Sequence, residues 1–135
     1  IVGQRLVRKL CESKEEYAMD KATRTKIASD VEFNTAFKAL RDEKLVKEGS
    51  SLDDIPFYRP VPSSECEDGY KSRIGIHEVL AVSPAIREII LHSSTIDALE
   101  AQAKKEGMIT MFEDGLYKAA RGITSPEEVL RAITE

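Results

Sequence analysis

Short bursts of apolar residues punctuate this chain, and their spacing predicts helices at both ends with strand-like stretches between. Val2, Leu6, Val7 and Leu10 recur at helical intervals beside the cationic Arg5, Arg8 and Lys9, so residues 1–11 read as a helix already under way. The next stretch, ESKEEYAMDKATRTK, is polar and nearly without periodicity, a loop or a loose helix. Ser29 and Glu32 stand at capping-box spacing. They open a predicted helix with Phe33, Phe37 and Leu40 on one face and Gly49 at its end. GSSLDDIP is a linker by composition. Phe57 to Val61 can form a short strand, limited to an edge by Pro60 and Pro62. Arg73 to Val82 is the better strand, with Gly75 as a candidate bulge. The two runs can pair through the loop that carries Cys66 and Gly69.

From Ser83 onward the pattern is four punctuated helices. Ser83-Pro84 opens the first. Thr95 caps a second that stops at Gly107, and Thr110 with Glu113 forms a capping box for a third that stops at Gly122. Ser125-Pro126 opens the last, with Glu128 at the box position. Met108, Met111, Phe112, Leu116, Val129, Leu130 and Ile133 are the expected helical core. Gly115 inside a helix costs about 1 kcal/mol relative to Ala, which marks a close backbone contact. The expected fold is mainly α: a C-terminal four-helix bundle-like subdomain with a small two-stranded antiparallel β element.

Composition narrows this little. A chain of 135 residues, 41% hydrophobic and 33% charged, is long enough for one domain with a real core. A net charge of -4 gives no electrostatic case for nucleic acid. No apolar run approaches the length of a membrane span, so a membrane role would be peripheral. Two cysteines make no disulfide framework, and a reducing cytosol is the expected compartment. The opening in mid-helix, without a signal-peptide pattern, reads as a piece of a longer polypeptide.

Chemistry-bearing motifs are sparse. The chain has no GxxxxGK[ST] or GxGxxG loop, no HExxH and no GxSxG. His77 and Glu78 would face opposite sides of a strand, so His77 reads as a partly buried structural histidine. His92 at a helix end complements the dipole. Glu113 and Asp114 in a first helical turn do the same, and they offer too few oxygens for a hard cation. Arg5 and Arg8 could reach a phosphate or carboxylate as a pair, or could simply lie on a solvated face.

Three stretches together carry a resemblance. QRLVRKLC at 4–11, GYKSRIGIHEVL at 69–80 and GMITMFEDGLYKAARGITSPEEVLRAIT at 107–134 resemble the carboxyl-terminal part of secretion ATPases. Those are the motor proteins of type II secretion and type IV pilus assembly. The resemblance implies a hexameric P-loop ATPase whose phosphate loop, Walker-B acid and histidine box lie upstream of the QRL segment. ATP and Mg would then belong to the parent protein, and Arg5 would be the residue nearest a nucleotide. Its implied partners are its own ATPase core, the neighbouring subunits of a homohexamer and an inner-membrane platform protein. Its implied place is the cytoplasm, peripheral to the inner membrane.

The family also has a zinc knuckle of two CxxC pairs. Here the pairs would match Cys11 with Lys14, and Ser63 with Cys66, each keeping one cysteine. Cys11 and Cys66 therefore read as remnants of a degenerate knuckle, and zinc is not expected. Inherited geometry would bring them to one corner, with Cα atoms near the roughly 4.4–6.8 Å range that permits a disulfide, although the expected cytosol would keep them reduced. The open alternative is two unrelated small residues far apart. Residues 18–48 exceed the family's usual length, and their helix would replace the metal as a staple. The implied organisation is 1–11 as the helix leaving the ATPase core, 12–72 as the knuckle insertion, and 73–135 as strand plus helical subdomain. A reading from another class is a free-standing helical protein-interaction module.

Overall fold

Residues 1–30, 38, 40–43, 47, 54–92 and 95–135 are described by the computed structural model. The first segment is not a helix. Val2–Leu10 forms strand β1, paired antiparallel with β4 (Tyr70–Val79), with Val2 opposite Val79 and Leu10 opposite Tyr70. The helical spacing misleads at the end of the strand. Val7 and Leu10 lie an odd number apart and are both buried, yet the register shifts between Arg8 and Leu10. There Lys71 and Ser72 stand opposite the single Lys9, and Ser72 takes a φ of 67°. The bulge is thus at Lys71–Ser72 and not at Gly75, which pairs regularly with Leu6. Gly75 instead leaves room for the side chains of His77 and Gln4, which a Cβ would meet at 2.8–2.9 Å.

The remaining strands pair differently from expectation. Between β1 and the next helix, Glu15–Tyr17 forms β2, and Phe57–Arg59 forms β3. They make a second antiparallel ladder, so the 57–61 run pairs with β2 and not with β4. Arg59 and Glu15 are opposite each other and form an ion pair. Helix α1 (Lys21–Asp30) follows β2, with the Thr23 N–H donating to Asp20 Oδ1 at 2.7 Å. Because α1 runs through Ser29 and Asp30, the predicted capping box at Ser29 does not open a helix. Phe33 and Phe37 lie outside the described residues, whereas helical Leu40 is buried.

The four C-terminal helices stand where their punctuation put them. They are α2 (Pro84–Leu91), α3 (Ile96–Lys105), α4 (Met111–Ala120) and α5 (Pro126–Thr134), capped by Ser83, Thr95, Thr110 and Ser125. Thr110 and Glu113 complete a reciprocal capping box. Gly122, at φ 74°, ends α4 in a Schellman arrangement. Its N–H donates to Ala119 O at 2.9 Å, and the Ile123 N–H donates to Lys118 O at 3.0 Å. The helices do not form one bundle, however. α2 pairs with α3, while α4 and α5 pack on each other and on the β1–β4 sheet. Among the described residues the fold is mixed α/β with two small sheets, not mainly α.

Gly3, Arg5 and Val7 of β1 and Ile74, Ile76 and Glu78 of β4 face α4 and α5, and Val7 and Ile76 are fully buried. The opposite face carries Val2, Leu6 and Val79, exposed at 66%, 47% and 57%. Side chains and a turn satisfy groups on both edges of this two-stranded sheet. On β4, the His77 N–H donates to Asp114 Oδ2 at 2.8 Å and Lys118 Nζ donates to Gly75 O at 2.8 Å. On β1, the Leu10 N–H donates to Ile123 O at 2.9 Å and Thr124 Oγ1 donates to Arg8 O at 2.8 Å. Edge groups left unpaired would invite other strands.

The core joins both halves. Phe112, Leu116 and Val129 are buried as expected, with Met111, Leu130 and Ile133 packed against them; Met108 lies outside the cluster. Val7, Met19, Ile27, Leu40, Ile55, Phe57 and Ile76 join it, with Ala119, Ala120 and Ala132 of the helices. Gly115 is the close contact that its helix position implied. A Cβ there would run into Val129 Cγ1. Gly115→Ala should therefore destabilise the protein by about 1–3 kcal/mol, although Ala is the better helix former. Urea unfolding should show the loss and its partial recovery in Gly115→Ala combined with Val129→Ala. Leu116→Ala should cost about 2–5 kcal/mol.

Candidate functional site

α5 begins with a cap whose second half is diverted. Ser125 Oγ accepts the Glu128 N–H at 3.2 Å, as a capping box requires. The Glu128 carboxylate does not return the bond; it turns to β1. Arg8 grips it from three nitrogens: Nε to Oε1 at 3.1 Å, Nη2 to Oε2 at 2.9 Å, and the backbone N–H to Oε1 at 3.1 Å. Arg131, one turn along α5, adds Nη2 to Oε1 at 2.5 Å and Nε to Oε2 at 3.1 Å. Glu128 itself is 2% exposed.

The cluster extends to the loop before β4. Arg8 Nη1 reaches Asp68 Oδ2 at 3.1 Å, and its guanidinium lies 4.3 Å over the Tyr70 ring. The Tyr70 hydroxyl is 2.7 Å from Ser125 Oγ, which closes the circuit. Burial on its own would raise the Glu128 pKa. The hydrogen bonds from Arg131 and Arg8 outweigh it and hold the group down at about 2. Burial likewise raises the Tyr17 hydroxyl, which donates to Glu127 and joins β2 to α5.

Arg5 and Arg8 do not form a pair. Three residues apart on a strand, they diverge: Arg8 goes to Glu128, and Arg5 donates through Nη1 to Ala132 O in the last turn of α5 and, at 2.7 Å, to the C-cap Glu135 O. His77 is exposed, not partly buried as expected, and its Nδ1 stands 3.9 Å from Asp114 Oδ2. Asp114 serves the β4 edge and binds Lys118 Nζ at 2.7 Å. Glu113 closes its capping box, and Glu78, facing away from His77, accepts the Met111 N–H at 3.0 Å. His92 is the C-cap of α2, with Nδ1 2.8 Å from Glu88 O. Sequence reasoning missed Glu128, Tyr70 and Lys118. Glu128 carried a signal as a box residue, but its partner is 120 positions away.

Cys11 and Cys66 do share a corner. They are bonded to each other, with Cα atoms 6.6 Å apart across 55 positions of sequence. Two turns make the corner. The Lys14 N–H donates to Cys11 O at 3.1 Å, and Ser63 and Cys66 exchange backbone bonds of 2.8 and 3.2 Å. The Cys11 N–H reaches Gly69 O at 3.0 Å. A four-ligand zinc site does not fit these residues. Lys14 Nζ points away to Gly122 O at 2.8 Å, and Ser63 Oγ accepts the Cys66 N–H at 3.2 Å. A zinc knuckle is therefore not what this corner forms.

The carboxylates of Glu113 and Asp114 are thus engaged in a helix cap and a strand edge, while the charged cluster locks β1 to α5. Fold and site define a mixed α/β module. The chain belongs to the type II/IV secretion system protein family, whose model matches residues 1–131. It is 36% identical to the type IV pilus assembly ATPase PilB of Pseudomonas aeruginosa over 97% of this chain and 20% of that protein. Identity is 37% to type II secretion system protein E of Xanthomonas campestris pv. campestris, over 100% of this chain and 21% of that protein. With PilB of Thermus thermophilus it is 35%, over 100% and 13%. The chain spans about a fifth or less of these curated relatives. Among the described residues, no helix is long and apolar enough to cross a membrane.

The Glu128 cluster makes a pH prediction. A carboxyl held below its unfolded value of about 4.5 contributes stability that is complete above that pH. The contribution is lost as pH falls from about 4.5 toward about 2. Glu128→Gln should flatten this acid limb and lower stability at pH 7, where Arg8 and Arg131 lose their shared anion. Urea unfolding from pH 7 to pH 2.5 reads both effects. An unchanged acid limb in the variant would remove Glu128 as its source.

Proposed function

We propose that this chain is the carboxyl-terminal subdomain of a hexameric motor ATPase that drives pilus assembly or type II secretion. The observation that carries this reading is the family match along residues 1–131. In it, the nucleotide-binding core lies upstream, and ATP with Mg binds there. This chain's own residues supply no glycine-rich backbone cradle for a triphosphate. The module packs on that core, transmits its movement and helps to hold neighbouring subunits of a homohexamer together. The exposed outer face of β1 and β4, with Val2, Leu6 and Val79, supports such packing. Arg5 enters as the nucleotide-proximal residue of β1, braced by the end of α5.

In this reading the three parts keep separate duties: 1–11 leaves the core, 12–72 is the insertion at the cysteine corner, and 73–135 is the strand with its helices. The parent protein works in the cytoplasm, against the inner membrane, where a platform protein is its partner.

Nucleotide assays test the reading. The intact protein should hydrolyse ATP, whereas the 135-residue chain alone should neither bind nor turn over ATP. Calorimetry and phosphate release measure the two. Micromolar binding with turnover by the chain alone would overturn the assignment of the chemistry to an upstream core. An intact protein that lacks ATPase activity would overturn the motor assignment itself.

A further inference from the structure

Cys11 and Cys66 stand apart from the charged cluster and take no part in the proposed motor function. Cys11 follows β1 and is half-buried, whereas Cys66 is 3% exposed in the turn before β4. Their Cα separation of 6.6 Å falls inside the range that a disulfide spans without backbone movement. Backbone bonds from Lys14 to Cys11, between Ser63 and Cys66, and from Cys11 to Gly69 tie the corner together beside the sulfurs. The two thiols of the reduced protein would therefore stay side by side. An open cavity of about 580 Å³, lined by Lys9, Cys11, Ser63, Ser64, Cys66 and Lys71, gives a small molecule access to them.

We propose that this pair is a redox-responsive staple. It is closed by a low-molecular-weight disulfide such as oxidised glutathione and opened by the corresponding thiol. The Cys11 thiolate, the less buried, attacks one sulfur of the oxidant, forms a mixed disulfide and releases one thiol. The Cys66 thiolate then attacks Cys11 Sγ, forms the Cys11–Cys66 bond and releases the second thiol. Two protein thiols are oxidised and one small disulfide is reduced to two thiols, with the protons passing to those thiols. Closure cross-links two points 55 residues apart and removes loop-closure freedom from opened states of the segment between them. It fastens the end of β1 to the turn that leads into β4, the corner that also presents Asp68 to Arg8.

The test uses the intact protein, equilibrated in glutathione buffers from fully reduced to fully oxidised. It is then quenched in acid, alkylated and digested. The expected result is a linked Cys11–Cys66 peptide whose fraction rises with the proportion of oxidised glutathione. In reduced protein, alkylation at Cys11 should outpace that at Cys66. Hydrogen exchange supplies a second readout: peptides covering residues 5–15 and 60–75 should exchange about tenfold or more slowly in oxidised protein. This difference should vanish in Cys11→Ser. Full alkylation of both cysteines after oxidation, glutathione adducts without the linked peptide, or an exchange difference that persists in Cys11→Ser would each overturn the proposal. Should Cys11→Ser fail to fold, labelling of the unsubstituted protein decides alone.

Discussion

Taking the Glu128 carboxylate out of water is unfavourable unless charge and N–H groups meet its oxygens in their place. Arg8 and Arg131 do so from two directions, and the Arg8 backbone adds a further N–H. This need connects parts of the chain that no local pattern links. Arg8 must lie in an extended segment, so that its backbone and guanidinium reach the same carboxylate. α5 must begin at Ser125, so that Glu128 faces β1. The loop before β4 must bring Asp68 and the Tyr70 ring to the far side of the guanidinium. Once these are met, β1 is locked between its sheet partner and a helix more than a hundred residues away.

The sheet illustrates a second constraint. Two strands alone are marginal in water, and their edge groups need partners. α4 lends Asp114 and Lys118 to one edge, and the turn after α4 lends Ile123 and Thr124 to the other. Gly115 lets α5 approach α4 closely enough for Val129 to enter the core. The acidic pair in α4 is thus accounted for by a helix cap and a strand edge. The module's charged residues hold its elements in register, and the outer face of the sheet carries the exposed Val2, Leu6 and Val79.

The C-terminal helices were legible because their signals are local. Ser83, Thr95, Thr110 and Ser125 bond to N–H groups three residues on, and Gly107 and Gly122 end helices at positive φ whatever surrounds them. The resemblance borne by residues 4–11, 69–80 and 107–134 was legible too, and the family match bears it out. The front of the chain was not. Residues 2–10 show helical spacing, yet a strand forms there because β4 offers a partner and a bulge resets the register near Leu10. Asp20 caps α1 in a stretch whose apolar residues are too few to show a period.

The sequence by itself therefore determined where the last four helices begin and end, and that two cysteines were available. Capping and turn chemistry act over three or four residues, a range that sequence order preserves. Only the tertiary structure decided that residues 2–10 are a strand, that β3 belongs to β2, and that α4 and α5 pack on a sheet instead of closing a bundle. It also decided that Arg5 and Arg8 part company and that Glu128 abandons its capping box for Arg8. Each of these is a choice between partners 40 to 130 residues apart. Burial and charge neutralisation make that choice once the chain is folded, and they leave no periodic trace along it.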